Sequence, residues 1–353
     1  MRTAQRVLLA GVFLYPVSAA AQPGVIQDCP MSPSPAEAQI IRDRMLLGIY
    51  DAPSRRGQPD IFVPLTIHII RRTDGTGGIG QTSIDLAIDG ANAPWLGSGI
   101  QFCTPGATIF HDDDDLYSNT DTLAELNALR QLDQVQNTIN VYFVSNLRIE
   151  IGSLCGISSF TTSSVDGIAV DYACLPHAGN PSTFPHELAH YFDLYHTHEP
   201  AFGTECTDGT NCLDAGDLVC DTPADPNVRG DVPPSTCVWN GSDTPTCGAA
   251  PYTPPTRNVL SYAPSTCRNE LTTEQFARAL ATLTNLRPEL IANGCDPCPN
   301  VADVNNDGVL DSTDFTAWIT AFNTQDPAAD QNADGNITPT DFSAWITNFN
   351  AGC

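Results

Sequence analysis

The 353-residue chain predicts a mixed α+β domain followed by a small all-α module. Three observations predict it. Strand-like and helix-like runs alternate from Ile61 to Tyr172, and a helix opening near Thr183 carries two histidines four residues apart. Near the C-terminus, residues 302–323 recur at 329–350 with 14 of 22 positions identical. The length exceeds what one compact domain usually holds, and 41% hydrophobic residues suffice for a sizeable core.

Residues 1–21 read as a secretory signal: Arg2 and Arg6, a short apolar run from Val7 to Val17, then Ala19-Ala20-Ala21. No later run is long enough to span a bilayer, so export is expected. Residues 22–56 hold one amphipathic run, Ala36 to Tyr50, one cysteine, Cys29, and the dibasic pair Arg55-Arg56. Strands are expected at Ile61–Ile70, Ile100–Cys103, Ile109–Phe110 and Thr138–Val144, the last half-buried because its apolar residues alternate with polar ones. Two short ones follow near Gly156–Phe160 and Gly167–Tyr172. Helices are expected at Ser83–Leu96 and Asp121–Gln134. His68 reads as structural, and His111 to Asp115 as a solvated turn.

The stretch His186-Glu187-Leu188-Ala189-His190 places both imidazoles on one helix face, one turn apart, with Glu187 beside them. Neutral imidazoles at that spacing suit zinc with one position left open for water. His196 reaches the same cation only if the chain turns sharply at Asp193, and aspartate is among the few residues that tolerate a left-handed turn. His198 or a distant Glu is the rival third ligand. From Thr197 to Pro255 the chain is irregular and dense in Cys, Asp, Gly and Pro. Cys206, Cys212, Cys220, Cys237, Cys247 and Cys267 supply three disulfides there, of unreadable connectivity. Thr272-x-x-Gln275 is a capping box opening a helix over Thr273–Leu286.

The motif resembles the long zinc signature of the metzincin peptidases, and Leu194-Tyr195-His196-Thr197 is similar to the pappalysin (cytophagalysin) branch. Pro64 to Ile69, Gly216 to Pro223 and Asn258 to Tyr262 resemble that branch's opening strand, its "GDxVxDTP" segment and its "NxMxY" turn. Asp193 stands for the family glycine and Leu260 for the turn methionine. The resemblance covers residues 60–285. It implies a metzincin-like domain over residues 57–294, with a twisted mixed sheet, an active-site helix and an irregular disulfide-rich lower lobe. It implies a zinc endopeptidase with ligands His186, His190 and His196, Glu187 as general base and Tyr262 supporting the oxyanion. Calcium is expected at Asp217, Asp221 and Thr222, although turn-capping explains the same pattern. The substrate peptide is expected to pair with an edge strand at Cys155–Phe160. Cys29 is either a zinc-blocking thiolate of a prosegment cleaved near Arg55-Arg56, or a disulfide or idle thiol.

Residues 295–353 form the second module. Each repeat opens with Asp-x-Asn-x-Asp-Gly and places oxygen groups where a calcium loop needs them. The first loop offers Asp303, Asn305, Asp307, the Val309 carbonyl, Asp311 and Asp314. The second offers Asp330, Asn332, Asp334, the Asn336 carbonyl, Thr338 and Asp341. Asp in place of Glu at position 12 resembles dockerin repeats, which implies a docking partner. The repeated Phe, Trp, Ile and Phe (Phe315 to Phe322, Phe342 to Phe349) read as the repeats' mutual core. Cys298 and Cys353 bracket the module and are candidates to clasp its ends.

The formal net charge is -26, with no lysine. This balance argues against nucleic acid or an anionic membrane as partner. It fits solubility in a salty exterior plus calcium loops; an acidic cleft selecting basic substrates is the sharper alternative. Thirteen cysteines suit an oxidising compartment, and the odd count leaves at least one outside intrachain pairs. The rival from another class is a secreted, calcium-dependent adhesion or scaffold protein with a degenerate protease domain.

Overall fold

The computed structural model describes residues 29–53, 60–118, 121–150, 152–292, 301–305 and 310–352. The signal-like start, Arg55-Arg56, Asp307, Val309, Cys298 and Cys353 lie outside these residues. The chain divides into two compact units, residues 1–293 and 294–353.

The first unit opens with α1 (Pro35–Leu46), closed by a capping box between Ser34 and Glu37. The elements β1 (Ile61–Arg71), α2 (Gln81–Asn92), β2 (Ile100–Cys103) and β3 (Ile109–Asp112) follow. Next come α3 (Asp114–Ser118), α4 (Leu123–Leu129), β4 (Ile139–Val144) and a small hairpin of β5 (Arg148–Ile149) and β6 (Gly152–Ser153). Two strands, β7 (Gly156–Ile157) and β8 (Ile168–Asp171), lead to α5 (Thr183–Tyr191). After the irregular lobe, α6 (Thr273–Leu286) starts on the expected Thr272/Gln275 capping box, and α7 (Glu289–Ala292) ends the unit.

The sheet runs β2-β1-β4-β8-β7, with β3 beside the far half of β1. All pairings are parallel except that of β7 with β8. Alternate residues of β1 and β4 feed two cores. Val63, Leu65, Ile67, Val141 and Phe143 pack with α2, α5 and α6, while Ile70, Tyr142 and Val144 pack with α1 and α4. All six residues of β4 are therefore buried, not half of them. A parallel strand at the sheet's centre is covered on both faces, and Asn140 pays its way by bonding Val135 and His68.

His68 is structural, as expected: fully buried, it meets His111 and Asn140 at 3.0 Å each and stacks on Tyr142. The solvated turn expected from His111 onward needs correction. His111 is a buried residue of β3, because its strand lies against β1, and only the aspartates after it face water.

Among the described residues the irregular lobe has no helix or strand. It is stapled by Cys206–Cys247, Cys212–Cys220 and Cys237–Cys267. A further disulfide, Cys155–Cys174, brackets β7 and β8.

In the second unit, α8 (Ser312–Thr324) and α9 (Thr340–Ala351) carry the repeats. Trp318 and Trp345 are buried, their indoles donating to the carbonyls of Ala329 and Ala302. The mutual-core reading holds for these tryptophans, with Phe322 and Phe349 packed against them. Phe315 and Phe342, although 36% and 38% exposed, also pack across the repeats, on each other at 5.8 Å and on Trp345 and Trp318 at 5.2 and 5.4 Å; the reading fails for Ile319 and Ile346, which are 41% exposed. Two short helices have too little interior to enclose both halves of each stripe.

Candidate active site

Helix α5 is buried along its whole length, so its polar residues need partners. His186 Nδ1 donates to the Val259 carbonyl at 2.6 Å, and His190 Nδ1 to the Leu194 carbonyl at 2.8 Å. A carbonyl can only accept, so each Nδ1 carries the proton and each Nε2 turns a lone pair inward. The helix ends at Phe192, and Asp193 takes φ +56° in the left-handed region. That turn returns His196 to the helix. The three Nε2 atoms then lie 3.1, 3.1 and 3.3 Å apart. Burial holds all three imidazoles below their ordinary pKa, His190 at about 4, so they stay neutral as metal ligands must. Converging lone pairs without hydrogens between them suit a cation.

Cys29 joins this cluster. Its sulfur and one nitrogen of each histidine all lie within 4.8 Å of one another. Several contacts hold the surrounding segment. Tyr262 donates its hydroxyl to the Cys29 carbonyl at 2.5 Å, and Ser32 donates to Glu199. Arg44 donates to Thr161 at 2.6 Å, and Tyr50 to Asp193 at 2.9 Å.

Glu187 is fully buried beside the cluster, against Gly156 of β7. That strand ends the sheet, within the expected edge segment. Leu260 lies fully buried in the turn after Val259, and its carbonyl accepts from Thr197 N–H at 3.3 Å. Asn258 ties that turn to α6 through Gln275 at 2.7 Å. The Tyr262 ring packs on His196 and His198, with the Arg229 guanidinium 4.1 Å above it. His198 is not among the converging imidazoles; it stacks beside His196.

Asp217 and Thr222 come together, the threonine hydroxyl donating at 2.9 Å to the buried carboxylate. Asp221 accepts from the Glu274 N–H at the start of α6. Sequence reasoning missed Glu205. Its carboxyl is pushed up to about 7, by burial and then by Asp225, and its charge in turn helps raise Asp217. It lines a cavity of about 420 Å³ with Glu199, Asp225 and Asp243. Glu199 was missed too, although it sits three residues past His196, with Oε2 3.9 Å from that ring's Nδ1. In the second unit, Asp341 accepts from Gln331 and Thr338 N–H groups, and Asp330 from Asp334 and Gly335, closing the second loop around its carboxylates. In the first, Asp311 caps α8 and Asp314 accepts from Asn305 and Asp311 N–H groups.

The family model described as pregnancy-associated plasma protein-A matches residues 128–284, and that of the dockerin type I domain matches residues 301–350. An extracellular metalloprotease of Verticillium alfalfae is 30% identical over 251 residues, 66% of this chain and 82% of that protein. One from Pyricularia oryzae is 26% identical over 273 residues, 72% of this chain and 88% of that protein. Among solved structures, a mutant promirolysin of Tannerella forsythia superposes with a TM-score of 0.55 at 15% identity. That match covers 76% of this chain and 98% of the other. Mature mirolysin in complex with a cleaved peptide gives 0.50 at 18% identity, covering 69% and 98%. The likeness to both is one of fold.

Proposed function

Because the chain belongs to the pregnancy-associated plasma protein-A family of extracellular metalloproteases, we propose that it is an exported zinc endopeptidase held latent by its own N-terminal segment. The observation that carries this reading is the convergence of three imidazole Nε2 atoms at 3.1–3.3 Å beside a buried carboxylate. His186, His190 and His196 would hold the metal. Zinc, when bound, supplies an acidified water and draws charge from the scissile carbonyl.

The remaining work falls to the chain's own groups. The edge of β7 takes the peptide as an added strand, its backbone groups pairing with those of the substrate. Glu187 accepts the proton of the attacking water and delivers it to the departing amine nitrogen. The Tyr262 hydroxyl, released from the Cys29 carbonyl, donates to the carbonyl oxygen as charge gathers there. With residues 29–53 in place, the Cys29 sulfur fills the position the water needs, and Tyr262 is engaged. Cleavage in the region of Arg55-Arg56 would allow the segment to leave.

Calcium is proposed at two places. One is the lower lobe, where Asp217 and Glu205 bring buried carboxylates together; Thr222 supports Asp217, and Asp221, which also accepts from the start of α6, is the remaining candidate ligand there. The other is the pair of loops in the second unit, whose acidic oxygens are hard ligands of the kind calcium takes. That unit would dock a protein partner, for which the half-exposed Phe315, Ile319, Phe342 and Ile346 offer apolar surface.

The test is zinc content and casein or gelatin cleavage by wild type and Glu187→Ala, each assayed after limited trypsin treatment has removed the N-terminal segment. The reading predicts one zinc in both and cleavage by wild type alone. If both hold zinc and neither cuts, the endopeptidase reading is lost. Full zinc occupancy in His196→Ala would transfer the third ligand role to another residue, such as His198.

A further inference from the structure

We infer that Gly156 is a positioning residue for peptide hydrolysis: the edge strand keeps a glycine there because Glu187 fills the volume a side chain would take. The inference rests on the reading of Glu187 as the general base.

The backbone does not ask for glycine at this position. Gly152 and Gly167, which flank β7 in sequence, have φ of +134° and +107°, where other residues are strained. Gly156 has no such angle. It pairs with Val170 in the ladder between β7 and β8, as any strand residue can. Glycine inside a strand is destabilising relative to alanine through lost chain entropy. Something other than local conformation therefore favours it.

The nearest atoms belong to the Glu187 side chain. A Cβ built on Gly156 would lie 2.6 Å from Glu187 Oε1, 2.7 Å from its Cγ and 2.8 Å from its Cδ. Carbon atoms in packed proteins do not approach so closely, so either the strand or the side chain must move. Glu187 has little room to retreat. It is fully buried on a helix whose neighbouring imidazoles are each pinned to a backbone carbonyl. A displaced carboxylate loses its line to the water's proton, and a displaced strand carries the bound peptide with it. Either way the reacting atoms part, and a shift of ~1 Å costs on the order of a hundredfold in rate. The missing side chain thus sets the spacing between the peptide on β7 and the base beneath it.

The experiment compares wild type, Gly156→Ala, Glu187→Asp and the double variant as full-length secreted protein, assayed after limited trypsin treatment. The readouts are kcat and KM on a fluorogenic peptide, zinc content and Tm. In Gly156→Ala, kcat should fall on the order of tenfold to a hundredfold, with KM, zinc content and Tm near wild type. Aspartate is one methylene shorter and leaves space for a Cβ. In the Glu187→Asp background the same alanine should therefore have little further effect. Wild-type kcat in Gly156→Ala would overturn the inference, as would an equal fold loss in both backgrounds. Loss of zinc or a large fall in Tm in Gly156→Ala would also overturn it, since the glycine would then serve folding. Glu187→Ala separates the two readings. If it keeps wild-type activity, the general-base role itself fails; if it is inactive while Gly156→Ala is normal, only the present inference falls.

Discussion

The phenol of Tyr50 donates a 2.9 Å hydrogen bond to the carboxylate of Asp193, tying the N-terminal segment to the turn that aims His196. The same carboxylate accepts from Thr161 N–H at 2.8 Å and lies 3.5 Å from the Arg44 guanidinium. Arg278 donates to the Asp193 carbonyl and stacks on Tyr50. An aspartate where the resembled family has glycine therefore serves two ends: it makes the left-handed turn and anchors the segment. Hydrogen bonds to charged groups contribute about 1.5–3 kcal/mol each. Tyr50→Phe should accordingly raise hydrogen exchange across residues 38–53 by tenfold or more, by that magnitude. Unchanged protection would mean that the contact holds nothing.

Cys29 gives a second prediction, on latency. Full-length Cys29→Ala should cleave casein measurably without prior proteolysis, whereas full-length wild type should need trypsin first. The gain should be partial, because Ser32, Arg44 and Tyr50 still bind the segment down. Equal silence of both full-length proteins would remove the thiol from the account.

Glu187→Gln keeps the shape of the side chain and removes its ability to take a proton. Its kcat should drop on the order of 10²–10⁴-fold, with zinc retained. Loss of the zinc instead would make Glu187 a structural support of the metal.

The lower lobe has a pH signature. Burial, then the charge of Asp225, pushes the Glu205 carboxyl up to about 7 from 4.5. Between those values the native chain keeps a proton that the unfolded chain has lost. Stability from this group is thus full below pH 4.5 and declines as pH rises to 7. In chelator, Tm should fall between pH 5 and 7.5, and Glu205→Gln should flatten the slope. Added calcium should restore Tm most at the alkaline end, where the carboxylate is charged and in need of a cation. A slope that is the same in Glu205→Gln would exclude this residue as its source.

Much of the site was legible because its signals are local. Two histidines one helical turn apart face one way whatever surrounds them, and Asp193 could be assigned the turn from its tolerance of positive φ. The capping box at Thr272 depends on a residue three positions on, Gln275. Other features depend on contacts across the chain. Polar Asn140 made β4 read as half-exposed; its position between β1 and β8 buries it. Asp221 matched a calcium motif, and nothing local marks that its carboxylate also accepts from the Glu274 N–H at the start of α6, 53 residues onward. Nothing around Gly156 in sequence marks it, because the group it accommodates lies on another element.

By itself the sequence determined which atoms are available for chemistry: three imidazoles, a carboxylate between two of them, a thiol upstream and two acidic loops downstream. It did so because helix period and turn tolerance are properties of a few adjacent residues. Only the tertiary structure decided that Cys29 reaches the imidazoles across more than 150 residues, that Tyr50 and Arg44 close on Asp193, and that β7 is the last strand of the sheet, beside Glu187. Those encounters arise from packing two cores onto one sheet, which brings together groups that no local pattern connects.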